Sequence, residues 1–294
     1  MKPAPFEYFA PEKIDDVVEL LSKHGEDGKI LAGGQSLMPL MSLRLARPQV
    51  VIDINRVTAL DTISQGADGE LAIGALTRQR ALEQSTFVQD RNPLLAASMP
   101  LIGHFQIRNR GTIGGSLVHA DPAAELPAVS LALGAEFIVT SARGKRRIPA
   151  EEFFLGTMAT ALEPTELLTE IWFPHWRSGS GWAVEEVARR RGDFAIVGVV
   201  VLLQLDGTGL CEETRIALFG VGDRPVRMVR GEEMLRGNRP EPDIFAAVAK
   251  VAAEELDPVS DVHASGQYRK EAGAFLTRRA LETALERAGK GPRR

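Results

Sequence analysis

The spacing of apolar residues predicts a small β-α-β unit at the start of the chain. Val17, Val18 and Leu21 recur at the spacing of an amphipathic helix, and we expect Pro11 in its first turn. Short apolar runs on either side predict strands. The elements predicted here are strands at 6–9, 29–32 and 49–53, and helices that end at His24 and cover 37–45.

From Leu60 onward the pattern changes to short strands separated by turn residues. The run 67–70, Ala-Asp-Gly-Glu, predicts a hairpin turn between strands at 62–64 and 71–73. We expect Thr77 to cap a helix over 80–84, and Asn92 to start another helix that leads to Ser98. The further strands predicted in this stretch are 135–140, 145–148 and 166–173.

Residues 175–181 form the clearest boundary, because they follow Pro174 and contain a Ser-Gly-Ser-Gly run. Apolar runs at 183–188, 195–204 and 214–219 then predict a three-stranded antiparallel sheet, followed by helices at 244–256 and 267–288. The sequence therefore predicts an α+β protein. Its first domain covers 1–176, with lobes at about 1–55 and 56–176, and a smaller α+β domain covers 177–294.

Composition and charge exclude several classes of protein. The 294 residues are 44% hydrophobic and 25% charged, which is typical of globular proteins and not of disordered or fibrous ones. A net charge of −4 does not favour a nucleic-acid partner. A single cysteine, Cys211, excludes an iron–sulfur cluster or structural zinc held by several thiolates of this chain. The histidines lack paired ligand spacing, so no metal site is expected.

The sequence also favours a cytoplasmic location. The longest apolar run, 195–203, is too short to span a bilayer, so no membrane span is expected. The first residues, Met-Lys-Pro-Ala-Pro, lack the apolar core of a secretory signal.

Two glycine motifs carry most of the functional information. Residues 32–36, Ala-Gly-Gly-Gln-Ser, follow a predicted strand and precede a helix, where backbone N–H groups can converge on an anion. A tight strand–helix turn explains a Gly-Gly pair equally simply. Residues 110–116, Arg-Gly-Thr-Ile-Gly-Gly-Ser, are a second candidate for wrapping phosphate oxygens. Neither motif matches the Rossmann fingerprint or the nucleotide phosphate loop, which disfavours those two classes.

The motifs and their continuation resemble a known family. Residues 31–37, 106–116 and 119–127 are similar to the FAD-binding medium subunit of molybdenum hydroxylases, the group of xanthine dehydrogenase and aerobic carbon monoxide dehydrogenase. The resemblance continues in order through 153–156, 189–195 and 268–280, so it covers essentially the whole chain. It implies a two-lobed FAD-binding domain of the PCMH type, followed by a C-terminal domain of the medium-subunit type.

The resemblance also implies a non-covalently held FAD with its pyrophosphate between the two glycine motifs. Glu125 falls on an acidic position near the cofactor's hydroxyls, Ile102 and Gly103 near the adenosine, and Asp193 and Phe194 on a loop that covers the flavin ring. The other residues assigned to the cofactor are Leu31, Ala32, Gly33, Gly34, Gln35, Ser36, Leu37, Thr112, Gly114, Gly115, Ser116, Val118, Ala124 and Leu168. Relatives often have Tyr at the position of Phe194 and a basic residue near Glu185 or Glu186.

The function implied by the resemblance is electron transfer inside a larger enzyme. FAD would accept electrons from an iron–sulfur small subunit, and a molybdopterin large subunit would bind the substrate, in a heterotrimer that dimerises. NAD, a quinone or oxygen would be the final acceptor, and this chain would supply no catalytic residue. Two alternatives stay open: a free-standing FAD-dependent reductase of similar fold, and a non-catalytic flavin-binding assembly subunit.

Overall fold

The first lobe is built on a three-stranded parallel sheet. In the computed structural model, which describes residues 2–288, its elements are β1 (Glu7–Phe9), α1 (Ile14–His24), β2 (Gly28–Leu31), α2 (Leu37–Ser42) and β3 (Val50–Asp53). The strand order is β1-β3-β2, and both pairings are parallel. Val17 and Leu21 of α1 pack on Ile52 of β3, which confirms the predicted β-α-β unit.

Two helix boundaries in this lobe differ from the prediction. Helix α1 begins at Ile14 after Lys13, so Pro11 lies outside it. Helix α2 ends at Ser42 and not at Leu45, because the chain turns into the left-handed region at Arg44, where φ is 60°.

The second lobe surrounds a five-stranded sheet with helices. Its elements are β4 (Ile63–Gln65), β5 (Leu71–Gly74), α3 (Gln79–Gln84), α4 (Thr86–Arg91), α5 (Pro93–Ser98), α6 (Phe105–Arg108), α7 (Ile113–His119), α8 (Glu125–Leu133), β6 (Glu136–Ser141), β7 (Gly144–Pro149), α9 (Ala150–Phe153), β8 (Phe154–Gly156), β9 (Ala159–Thr160) and β10 (Leu167–Phe173). The sheet has the order β4-β5-β10-β6-β7. The predicted hairpin is present as the antiparallel pair β4–β5, and the predicted strands 135–140 and 145–148 pair as antiparallel β6–β7.

The two predicted helix caps of this lobe have different outcomes. The side chain of Asn92 accepts a hydrogen bond from the Leu95 N–H at 3.0 Å, so Asn92 caps α5 as expected. Thr77 does not cap α3, which starts after Arg78. The Thr77 hydroxyl instead donates to the carbonyl of Thr62 at 3.0 Å and so ties the turn after β5 to the preceding chain.

The C-terminal part is an antiparallel sheet covered by helices. Its elements are β11 (Gly181–Ala188), β12 (Ala195–Leu205), β13 (Cys211–Phe219), β14 (Val226–Arg227), α10 (Val229–Leu235), α11 (Pro242–Glu255) and α12 (Gly266–Arg287). The sheet has four strands and not the predicted three, because β14 pairs with Ala217 and Leu218. A two-residue strand shows no alternation that a sequence pattern could reveal.

The C-terminal sheet is buried on both faces. One face packs on α11 and α12 through Val197, Phe245 and Leu276. The other face contributes Val200 and Phe219 to the core of the second lobe. The division of the chain at residue 176 stays a prediction. Among residues 2–288, no helix is both long enough and apolar enough to cross a membrane.

Candidate cofactor site

A cavity of about 600 Å³ lies between the two lobes, with the loop between β11 and β12 at its rim. This volume is typical of sites for small molecules and cofactors, which occupy roughly 300–1,000 Å³. Every residue that the resemblance assigned to FAD lines the cavity except Leu31. These lining residues are Ala32, Gly33, Gly34, Gln35, Ser36, Leu37, Ile102, Gly103, Thr112, Gly114, Gly115, Ser116, Val118, Ala124, Glu125, Leu168, Asp193 and Phe194.

Leu31 lies behind the first glycine motif. It is the last residue of β2, and its carbonyl accepts from the Ile54 N–H at 3.0 Å. Its side chain packs beside Gly34, where a Cβ would lie 3.2 Å from Leu31 Cδ1. Leu31 therefore supports the turn and does not itself face the cavity.

The first glycine motif offers unpaired backbone donors. In the described part of the chain, the N–H groups of residues 33–36 donate to no other group of the protein. Gly34 has φ of 73°, a left-handed conformation that suits glycine. The Gln35 side chain donates to the Gly33 carbonyl at 3.0 Å and braces the turn from within. Converging free N–H groups are a site for an anionic group such as a phosphate.

The second glycine motif has fewer free backbone donors than the first. Its second half is the start of α7, whose N-cap is Thr112. All four N–H groups from Ile113 to Ser116 are already used, by Thr77 O, Ala75 O, Thr112 Oγ1 and Thr112 O respectively. The N–H of Thr112, which also lines the cavity, donates to no other described group. This motif therefore offers one free backbone donor, close approach and the Ser116 hydroxyl, whereas the first motif offers four free donors.

The two glycine motifs touch each other. A Cβ on Gly33 would lie 2.4 Å from the carbonyl oxygen of Arg110 and 2.9 Å from the Cα of Gly111. Real Cβ atoms do not approach backbone this closely, so the contact requires glycine at position 33. The contact between Gly33 of the first lobe and residues 110–111 of the second, here called the seam, therefore lies directly beside the cavity.

Arg78 joins the two lobes at the same seam, a role that the sequence analysis did not predict. Its guanidinium donates to the carbonyl of Arg110 and, at 2.7 Å, to the side-chain oxygen of Asn55. The Asn55 amide in turn donates to the carbonyl of Ala32 at 2.8 Å. Arg78 thus links the first lobe to the second motif. No sequence motif marks this role, because the three residues meet only in the folded chain.

The cavity wall contains two buried acidic side chains, Glu125 and Glu166. Glu125, the first residue of α8, is 4% exposed. Burial raises its pKa to about 8, and the nearby charges of Glu186 and Asp121 act in the same direction. Glu166, also at the cavity, is different because Arg146 binds it at 2.7 Å through two nitrogens and lowers its pKa. Glu125 is thus a buried carboxyl without a cationic partner that is available to a ligand hydroxyl.

The rim brings together two segments that the resemblance assigned to different ends of FAD. A Cβ on Gly192 would lie 2.6 Å from His104 Cε1 and 3.2 Å from the carbonyl carbon of Gly103. The loop that carries Phe194 therefore packs on the segment 102–104. Phe194 itself is 62% exposed. Both segments line the cavity, and the assignment of 102–103 to the adenosine and of 193–194 to the flavin ring stays a prediction.

Comparison with known proteins agrees with this geometry. The family model "FAD binding domain in molybdopterin dehydrogenase" matches residues 4–176, and "CO dehydrogenase flavoprotein C-terminal domain" matches residues 182–284. The chain is 42% identical to the 6-hydroxypseudooxynicotine dehydrogenase complex subunit alpha of Paenarthrobacter nicotinovorans, over 98% of this chain and 97% of that one. It is 39% identical to the carbon monoxide dehydrogenase medium chain of Hydrogenophaga pseudoflava, over 98% and 99%.

A solved structure has the same fold. It is the carbon monoxide dehydrogenase from Hydrogenophaga pseudoflava that lacks the Mo-pyranopterin moiety of its cofactor, with a TM-score of 0.96 at 39% identity. The match covers 98% of this chain and 100% of that one. The fold and the site thus define a FAD-binding subunit of an oxidoreductase. The chain belongs to the family of FAD-binding medium subunits of molybdenum hydroxylases, which includes the carbon monoxide dehydrogenase medium chains.

Proposed function

We propose that this chain holds FAD between its lobes and passes electrons from iron–sulfur clusters of a partner subunit to an external acceptor. The observation that carries the proposal is the cavity of about 600 Å³ beside the free N–H groups of residues 33–36. Unpaired N–H groups suit the cofactor's pyrophosphate, and the buried Glu125 suits a hydroxyl of the cofactor.

The remaining wall residues fit the apolar parts of the cofactor. Ile102, Ala124 and Leu168 are each less than a tenth exposed and line the cavity. Ser36 and Ser116 add hydroxyls to the lining of the cavity. FAD, when bound, supplies the redox chemistry, and this chain's residues bind it, orient it and exclude water from it. No residue of the chain is proposed as a catalytic acid or base.

The partners are proposed from membership of the family. In it, a second subunit would hold the iron–sulfur clusters, which the single cysteine of this chain cannot hold, and a third would hold the molybdopterin and the substrate. The proposed assembly is a heterotrimer that dimerises and works in the cytoplasm, with NAD, a quinone or oxygen as acceptor. Support comes from the names of the relatives, which are subunits of complexes or medium chains. Exposed apolar side chains that line the cavity, Met158 and Phe194, fit a contact surface.

The test compares the FAD-loaded chain alone with the same chain in its purified complex. Aldehydes and N-heterocycles are offered with an artificial electron acceptor, and flavin absorbance is followed without oxygen. We expect the isolated chain to be inactive and its flavin to be reduced only within the complex. Substrate turnover by the isolated chain would favour the free-standing reductase. A complex that turns over while its flavin stays oxidised would favour the assembly subunit.

A further inference from the structure

Two carbonyl groups of the first glycine motif are held by side-chain amides. The Ala32 carbonyl accepts from the amide nitrogen of Asn55 at 2.8 Å, and the Gly33 carbonyl accepts from that of Gln35 at 3.0 Å. The peptide bonds of the motif are trans and planar, so the C=O and the N–H of each peptide point in opposite directions. A carbonyl that is held on one side therefore directs the N–H of the next residue to the other side.

Asn55 sets the direction of the Gly33 N–H in this way. It follows β3 by two residues and contacts Ala32 from outside the cavity, whereas Ala32 and Gly33 line the cavity. The Gly33 N–H points away from Asn55 and donates to no other described group. It is the first of the four free donors of the motif, and Gln35 directs the next one, at Gly34, in the same manner.

The surroundings of the Asn55 amide select one of its two orientations. Its nitrogen donates to the Asp53 carboxylate at 2.5 Å as well as to the Ala32 carbonyl, and its oxygen accepts from Arg78 at 2.7 Å. Turning the amide over would set its oxygen against two acceptors and its nitrogen against the guanidinium. Asp53 and Arg78 therefore keep the amide nitrogen on the Ala32 carbonyl.

Asp53 is itself fixed in place and ionised. One carboxylate oxygen accepts from the Tyr8 hydroxyl at 2.6 Å, and the other accepts from the backbone N–H of Asn55 at 2.9 Å. Burial opposes ionisation, but the hydrogen bonds from Tyr8 and Asn55 and the charge of Arg110 hold the pKa of Asp53 below its ordinary value. An ionised carboxylate only accepts hydrogen bonds. The Asn55 amide therefore gives one hydrogen to Asp53 and keeps the other for the Ala32 carbonyl.

We propose that Asn55 is a positioning residue, which holds the Ala32–Gly33 peptide so that the Gly33 N–H faces a phosphate oxygen of FAD before the cofactor binds. This inference rests on the proposed placement of the pyrophosphate at the first glycine motif. It adds the residue that directs the motif from behind. Donors that are fixed in advance need no reorganisation when an anion arrives, so each contributes more to binding.

The glycine at position 33 makes this support necessary. Rotation of the Ala32–Gly33 peptide changes the backbone angles on either side of it, and glycine tolerates such changes more easily than other residues. Without the Asn55 amide, the Ala32 carbonyl is free to turn toward the cavity and the Gly33 N–H to turn away from it. A carbonyl oxygen in that position would repel a phosphate.

The first experiment measures FAD affinity by fluorescence titration of the flavin-free chain. Leucine has nearly the shape of asparagine and no hydrogen-bond donor, so we expect Asn55→Leu to bind FAD about ten- to a hundredfold more weakly, which corresponds to one charge-assisted hydrogen bond. Asn238→Leu is the matched control and should bind as wild type, because the Asn238 amide also donates to a backbone carbonyl, that of Met234 at 3.0 Å, but in the C-terminal part. Equal affinity in Asn55→Leu and wild type would overturn the proposal.

A second measurement needs no FAD and separates positioning from a general loss of structure. Nuclear magnetic resonance relaxation of the flavin-free chain, labelled with ¹⁵N-glycine, gives the order parameters of the Gly33 and Gly34 amides. We expect Asn55→Leu to lower that of Gly33 from about 0.85 to below about 0.6. Gly34 should keep its wild-type value, because Gln35 still holds the Gly33 carbonyl.

Asn55→Ala removes the same amide without adding bulk and takes the place of Asn55→Leu if that variant does not fold. An unchanged order parameter at Gly33, or an equal fall at Gly33 and Gly34, would refute the positioning role. A wild-type chain that binds no FAD would count against the proposed function, and the order parameters of the flavin-free chain would still decide the role of Asn55.

Discussion

Gly33 lies against the backbone of Gly111 so closely that no side chain fits between them. The carbonyl oxygen of Arg110 would be 2.4 Å from a Cβ at position 33, and the Cα of Gly111 would be 2.9 Å away. This contact joins the two lobes along the cavity wall. The first glycine of the Gly-Gly pair therefore has a packing role beside the proposed binding role of the turn.

Gly33→Ala should separate the two motifs. Overpacking of this kind costs about 1–3 kcal/mol, and if that strain appears on ligand binding it weakens FAD affinity by about ten- to a hundredfold. Fluorescence titration of the flavin-free protein with FAD measures the change. Gly207→Ala is the control, because a Cβ at position 207 meets nothing within 4 Å. An affinity equal to wild type in Gly33→Ala would contradict the role of this seam.

Gly114 and Gly115 should respond differently to substitution. A Cβ on Gly114 would lie 2.6–2.9 Å from Ala75, and its N–H donates to the Ala75 carbonyl at 3.0 Å. We therefore expect Gly114→Ala to lower the free energy of unfolding by about 1–3 kcal/mol, with FAD still bound by the folded protein.

Gly115→Val should mainly weaken FAD binding. Its Cβ would point across the cavity toward Ala32, 3.8 Å away, and would disturb the Thr112 cap, which contributes about 1 kcal/mol. Thermal melts and bound flavin per folded chain separate the two effects. Identical losses of FAD and stability in both variants would show that both glycines serve only the packing of α7.

Arg78→Leu should loosen the lobes because it leaves two acceptors unpaired, the Arg110 carbonyl and the Asn55 side chain. Hydrogen bonds from a charged donor contribute about 1.5–3 kcal/mol each, so we expect a lower melting temperature and weaker FAD binding. Arg56→Leu is the control, since Arg56 is exposed and its contact with Glu12 is 4.0 Å long. Equal melting temperatures for the two variants would contradict the bridging role.

The flavin-free chain should become less stable as pH rises. Glu125 and Glu186 have folded-state pKa values of about 8 and about 7, above their ordinary 4.5. The folded state thus binds more protons than the unfolded state between pH 4.5 and 8, and the free energy of unfolding falls through that window. Glu125→Gln and Glu186→Gln should each reduce this loss of unfolding free energy by roughly 1–3 kcal/mol. Urea denaturation at pH 5 and pH 8 measures this loss. A loss in both variants equal to that of the wild type would contradict the prediction.

Elements that depend on interactions between residues close in sequence could be predicted from the sequence alone. The strand–turn–helix around Gly33 and Gly34 follows from an apolar run, two glycines and a second apolar run. The caps show the limit of this reasoning. Asn92 acts on its own helix and was predicted correctly, whereas the Thr77 hydroxyl is taken by Thr62, a partner that only the fold brings near.

The site was harder to predict where it depends on contacts between distant segments. The residues that line the cavity came from family resemblance, and the composition alone would not have found them. Arg78 escaped notice because its partners are remote in sequence. The second motif stays a predicted contact of the phosphates, but Thr112, Ala75 and Thr77 accept from its N–H groups at 113–116, which only the folded chain reveals.

The most direct test of the account is to identify the flavin that the purified protein carries. The protein is precipitated with acid, and the supernatant and pellet are analysed by chromatography and absorbance. FAD in the supernatant, in a stoichiometric amount, with a colourless pellet, is the result that a non-covalent site between the lobes predicts. FMN in the supernatant, flavin retained by the pellet, or a folded chain that binds no FAD even when FAD is supplied would contradict it.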